Sequence, residues 1–100
     1  MFNHIVLFKL KDFQNDQLKA EIRDQIKNGL LGLQGKIAEL KQIEVGNNFE
    51  LNSISFDIGL VTRFDSYEGF VTYRDHPEHQ KVVGLVLANT VDRAAVDYLD

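Results

Sequence analysis

The chain carries three histidines, His4, His76 and His79, and two of them flank its single proline in Tyr73-Arg74-Asp75-His76-Pro77-Glu78-His79. Imidazole titrates near neutrality, so a histidine held neutral serves as a general base or as an electrophile that polarises a carbonyl. Pro77 interrupts one helix and suits the first position of another, where its missing N–H costs nothing. His76 then becomes an N-cap and His79 the third residue of the new helix, near the positive end of its dipole. That position disfavours the imidazolium and lowers the histidine pKa. Tyr73 offers a phenolic donor to a developing oxyanion. With His4 alongside, such a set suits proton transfer next to a carbonyl: enolisation, aldol-type closure or a non-hydrolytic lyase step. The same residue types also fit ligand binding without catalysis, or structure alone. In the structural case His76 bonds to backbone, His79 ties the helix start to the sheet, His4 is a half-buried strand residue, and Tyr73 packs with its hydroxyl satisfied.

A metal is a weaker fit. His76 and His79 are three apart, with Asp75, Glu78 and His4 as further donors, but a cap residue outside the helix breaks the regular spacing that ligands on one helix face require. Cysteine is absent, which removes disulfides, thiolate metal sites, iron–sulfur clusters and thiol nucleophiles together. No metal and no other cofactor is expected.

Positioning these residues requires a frame. His4-Ile5-Val6-Leu7-Phe8-Lys9-Leu10 reads as a strand. Its even positions (His4, Val6, Phe8, Leu10) and most of its odd ones (Ile5, Leu7) are apolar or aromatic, as in a central strand covered on both faces. A helix begins near Asn15 or Asp16, with Leu18, Ile22, Ile26, Leu30 and Leu33 at helical spacing. Gly29, Gly32 and Gly35 follow a helix rather than open one, so they form no dinucleotide fingerprint, and Gly35 is the expected C-cap. Gln42 to Asn47 forms a second strand. Ser55 to Phe64 forms a third, with Phe56, Ile58, Leu60, Thr62 and Phe64 on one face and Asp57, Gly59, Val61 and Arg63 on the other. Phe49 sits in the loop between them, as an anchor of that loop or as a residue that reaches across to the partner subunit. Ser66 caps the helix carrying Tyr67, Phe70, Val71 and Arg74, the helix restarted at Pro77 runs to about Ala88, and Arg93 to Leu99 is a last strand.

The order β-α-β-β-α-β predicts an α+β, ferredoxin-like domain with a four-stranded antiparallel sheet. One hundred residues make a single domain spanning 1–100. Helices on one face leave Ile5, Leu7 and Val61 facing water on the other, and burying that surface against an identical copy gives an expected homodimer. The even face of the first strand, carrying His4, then lines a sheet–helix cleft within each subunit. Val6, Phe8, Ile58, Leu60, Ile22 and Ile26 are the expected binding residues there, with His76 beside them.

Net charge is −4 and the eleven basic residues are scattered, so nothing resembles a phosphate-backbone footprint and no nucleic-acid partner is expected. No apolar run approaches the ~20 residues of a membrane span, and the N-terminus has no signal-peptide pattern. The expectation is a soluble, cytoplasmic protein with itself and a small molecule as partners.

His4-Ile5-Val6-Leu7-Phe8-Lys9, Ile43-Glu44-Val45-Gly46, Phe64-Asp65-Ser66, the Tyr73–His79 segment and Val96-Asp97-Tyr98 occur in an order that resembles the stress-responsive A/B barrel family. The resemblance covers nearly the whole chain, and the His-Pro-x-His segment with its preceding tyrosine is the most specific part. It implies a ferredoxin-like monomer and a dimeric α/β barrel built from two facing sheets. In one plant branch of that family, polyketide cyclisation without a cofactor uses a strand histidine, a helix tyrosine and the second histidine of His-Pro-x-His. Those positions match His4, Tyr73 and His79. Where the plant pocket has aromatic and aliphatic lining, the first helix here has Ile22 and Ile26. Haem-degrading or quinol-type monooxygenases of the same fold often use tryptophan, which this chain lacks.

Overall fold

A computed structural model describes residues 1–100. The elements are β1 (Phe2–Leu10), α1 (Asp16–Leu31), β2 (Gln42–Asn47), β3 (Ile58–Phe64), α2 (Tyr67–Asp75), α3 (Pro77–Asn89) and β4 (Thr90–Leu99). The four strands form one sheet in the order β2-β3-β1-β4, with every pairing antiparallel. This is a ferredoxin-like α+β domain, and its second helical segment is split in two at Pro77. No helix is long and apolar enough to cross a membrane.

Local chemistry accounts for the boundaries. Asn15 caps α1, its Oδ1 accepting from the Leu18 N–H at 2.7 Å, and Ser66 caps α2 in the same way through Gly69. These side chains satisfy amides that have no partner in the first turn. The expected C-cap at Gly35 moves: α1 ends at Leu31 with Gly32 as cap, and Gly35 takes a φ of 90° in the turn that follows, a conformation that favours glycine. Gly29 lies inside α1 where the helix passes α3, beside Val82 and Leu85.

β3 is shorter than expected, starting at Ile58 instead of Ser55. Ser55 and Asn52 bond to each other in a turn, and Asp57 turns its carboxylate to the Leu10 N–H and to Lys19. These local side-chain bonds compete with the ladder and win. Phe49 anchors nothing within its own subunit, since it is 99% exposed. β4 starts three residues earlier than expected, at Thr90, with a register shift opposite Lys9 and Leu10.

The core lies between the helices and the even face of β1. Val6, Phe8 and Leu10 pack there with Ile58, Leu60 and Phe64 of β3, Ile26 and Leu30 of α1, and Phe70 and Tyr73 of α2. Burying each such side chain contributes roughly 1.5–3 kcal/mol. The opposite face carries Ile5, Leu7, Val61, Val96 and Tyr98 by register, and no helix covers it. Leu7 and Val96 are 40% and 53% exposed there.

Candidate functional site

Antiparallel pairing of β1 with β4 sets His4 opposite Asp97, Val6 opposite Ala95 and Phe8 opposite Arg93, all on the helix-facing side. Above them runs α3, whose His79, Val82, Val83 and Val86 recur at helical spacing and so share one face. Between β1, β4 and α3 lies a cavity of about 360 Å³, closed at its base by Leu30 of α1 and Leu60 of β3. Nine of its twelve lining residues are hydrophobic, and its polar side chains are His4, His79 and Arg93.

The helix break orients His79. In an unbroken helix the Arg74 carbonyl would accept from the Glu78 amide. Here that amide donates instead to His76 Nδ1 at 3.1 Å, which leaves the Arg74 carbonyl open to the His79 Nδ1–H at 2.9 Å and to Gln80 at 2.7 Å. A carbonyl only accepts, so Nδ1 of His79 carries the hydrogen and the neutral ring has a bare lone pair on Nε2. His76 is the opposite tautomer, because its Nδ1 must be bare to accept. Burial of the His79 ring lowers its pKa below the usual histidine value. The direction is the one expected from the helix N-terminus, but desolvation is the largest cause.

His4 is held from two sides. Its carbonyl accepts from the buried Thr62 hydroxyl at 2.9 Å, and its Nδ1–H donates to the Asp97 carboxylate. Its ring leans on Phe70 with centroids 4.8 Å apart. The carboxylate fixes the ring and leaves Nε2 as the free nitrogen.

Of the residues expected at the site, His4, Val6, Phe8, Leu60 and His79 line the cavity. Tyr73 does not. It is fully buried beneath His79, ring centroids 4.3 Å apart, with Phe64 on another side at 5.0 Å. Its hydroxyl has no hydrogen-bond partner, and burial pushes its pKa well above the usual phenol range. The ring props His79 from below. Ile26 and Ile58 are core residues, Ile22 packs at the core's edge, and His76 is a cap. The cleft is therefore shifted from α1 toward α3 and β4. No group of three or more His, Cys, Asp or Glu side chains is gathered to hold a metal ion.

Residues missed from the sequence are Leu30, Val82, Val83, Val86, Arg93, Ala94 and Ala95, together with Asp97 as the partner of His4. The helical spacing from His79 contained the signal for the three valines. The β4 residues depend on strand register, which spacing within one segment does not reveal.

The family described as Stress responsive A/B Barrel Domain matches residues 2–100. A dimeric protein of unknown function and ferredoxin-like fold from Bacteroides fragilis NCTC 9343 is 33% identical, with a TM-score of 0.87 over 97% of this chain and 93% of that one. A dimeric ferredoxin-like protein of unknown function from Thermobifida fusca YX is 29% identical, with a TM-score of 0.82 over 97% and 88% of the two chains. The hydroxynitrile lyase from Passiflora edulis shares the fold at 18% identity, with a TM-score of 0.82 over 97% and 90%. No curated protein matches the chain.

Proposed function

The chain belongs to the stress-responsive A/B barrel family, and on that premise we propose that it is a homodimer binding one small, mostly apolar molecule per subunit between β1, β4 and α3. The observation that carries this reading is the cavity: about 360 Å³, walled chiefly by aliphatic side chains and ending at two oriented imidazoles. Pockets of this make-up, apolar with a few convergent polar groups, are where small ligands are held. The dimer rests on the uncovered apolar face of the sheet and on the dimeric state given for the Bacteroides and Thermobifida proteins.

One observation favours a second reading, an acid–base enzyme working without a cofactor. The Arg74 carbonyl fixes His79 in the tautomer whose bare Nε2 accepts a proton, and desolvation keeps that ring neutral near physiological pH. A carboxylate-paired His4 on the facing strand supplies a second proton-handling group. The pair suits removal of a proton beside a carbonyl and its return elsewhere on the same molecule.

The test uses the neutral fluorophore N-phenyl-1-naphthylamine with light scattering on the same sample. The expected mass is twice the 11.4 kDa chain, with saturable binding at one probe per chain. Val83→Trp fills the cleft from α3 and should abolish probe binding with the mass unchanged. A monomer, or probe binding that ignores Val83→Trp, overturns the reading.

A further inference from the structure

The cleft has a charge of its own. Arg93 reaches its helix-facing side opposite Phe8, four residues along β4 from Asp97, or about 13 Å at ~3.3 Å per residue. One end of the cleft thus carries a guanidinium and the other carries the two imidazoles. The Arg93 guanidinium makes no ion pair and no hydrogen bond within the chain; its backbone amide donates to the Asp92 carboxylate. Arg63 is committed to Asn3, Gln42 and Asp100, and Arg74 to Asp75; Arg23 of α1 also lacks a partner, but it does not line the cavity. No acidic residue lines the cavity: Asp92, next to Arg93, has the opposite strand parity and its carboxylate accepts from the Arg93 backbone amide, and Asp97 is bonded to His4. In a chain with a net charge of −4, a cavity lined by an arginine and by no carboxylate runs against the overall balance.

We propose that the cleft selects amphipathic carboxylic acids, holding the carboxylate on Arg93 and the apolar body along Val6, Phe8, Val83 and Val86. The proposal rests on the cleft-binding reading above and specifies its ligand. A guanidinium is more weakly hydrated than an ammonium, and its planar fork of donors matches a carboxylate through two parallel hydrogen bonds. Arg93 is exposed at the mouth of the cleft, and the aliphatic walls beside it reward an apolar tail. A neutral apolar molecule would leave the guanidinium without a partner, whereas a carboxylate complements it.

Displacement of N-phenyl-1-naphthylamine tests this, with decanoate below its micellar concentration and 1-decanol as the neutral counterpart. Arg93→Gln should weaken decanoate about tenfold, the loss of a single charge-assisted contact. It should leave the affinities of 1-decanol and the fluorophore within about twofold, which also reports that the variant is folded. Arg93→Glu adds repulsion and should weaken decanoate further. Equal decanoate affinity in wild type and Arg93→Gln overturns the proposal, as does binding of decanol and fluorophore without decanoate. In both cases the cleft reading survives. Failure of all three probes to bind overturns both.

Discussion

Two ends of the same sheet face are built differently. Under α1 and α2, the face formed by β3 and the even side of β1 is filled: Phe64, Tyr73, Ile26 and Ile58 are all essentially inaccessible, and Phe2, Phe64 and Phe70 pack ring against ring. Beside α3, the same face continues onto β4, where every residue from Val91 to Leu99 is exposed. The difference lies in what each strand directs at the helices. β3 presents Ile58, Leu60 and Phe64, bulky enough to meet the helix above. β4 presents Arg93, Ala95 and Asp97, two charged groups around a methyl. Where the inward residues are large and apolar the layers seal, and where they are small or charged the space remains as a cleft. The cavity is thus a property of β4's inward residues rather than of the fold.

The largest predicted effect tests that contrast directly. Phe64→Ala in the sealed half should cost about 3–5 kcal/mol, from lost burial and a residual cavity. Ala95→Leu in the open half adds bulk to empty space, and should change stability by less than about 1 kcal/mol while blocking probe binding. Urea denaturation of both variants gives the comparison. Similar losses from the two would mean that the cleft is packed after all.

The same contrast explains what could be read in advance. Element order, the N-caps at Ser66 and His76, and the assignment of the even face of β1 to the helices follow from local spacing and capping chemistry, and the structure has them so; at α1, where Asn15 and Asp16 were both open as caps, it is Asn15. The candidate site was legible only where it depended on those local rules, at His4, Val6, Phe8, Leu60 and His79. The expected lining by Ile22, Ile26 and Ile58 assumed a cleft under α1. Their apolar character suits them equally to sealing a core, and periodicity does not separate the two. Arg93 and Asp97 enter the site through pairing with β1, a long-range fact set by register. The beginning of β3 differs from the expected Ser55 for a related reason: Asp57 has the right parity for a strand, but its carboxylate serves the Leu10 amide and Lys19.

A smaller effect is expected at Tyr73, on the boundary between the two halves. Its hydroxyl is buried without a partner, and leaving a polar group so costs about 1–3 kcal/mol. Tyr73→Phe keeps the ring that supports His79 and removes the orphan oxygen. Stability should rise by about 1 kcal/mol in urea denaturation, with fluorophore affinity unchanged. A drop in affinity would show that the hydroxyl reaches the cleft, where it could donate to an oxyanion.

The smallest effect is a pH dependence from His79, which lies at the edge of the cleft. In the unfolded chain its imidazole titrates near ~6.5. In the folded chain burial holds it lower, with the charges of His4 and His76 adding to the shift while the Arg74 carbonyl and Asp75 oppose it. Between the two values the unfolded state binds more protons, so stability rises with pH. The contribution is complete above about pH 6.5 and is lost as pH falls through the folded value. Asp75 and Asp100 are held below the usual carboxylate range, so their own losses come at lower pH than that of His79. His79→Gln keeps a donor for the Arg74 carbonyl but does not titrate. Wild type should therefore lose more stability than His79→Gln between pH 7 and 5, measured as the shift in urea midpoint. Parallel losses would place His79 in water rather than at the wall of an apolar cleft, and would remove the desolvation on which the proposed neutral-base role depends.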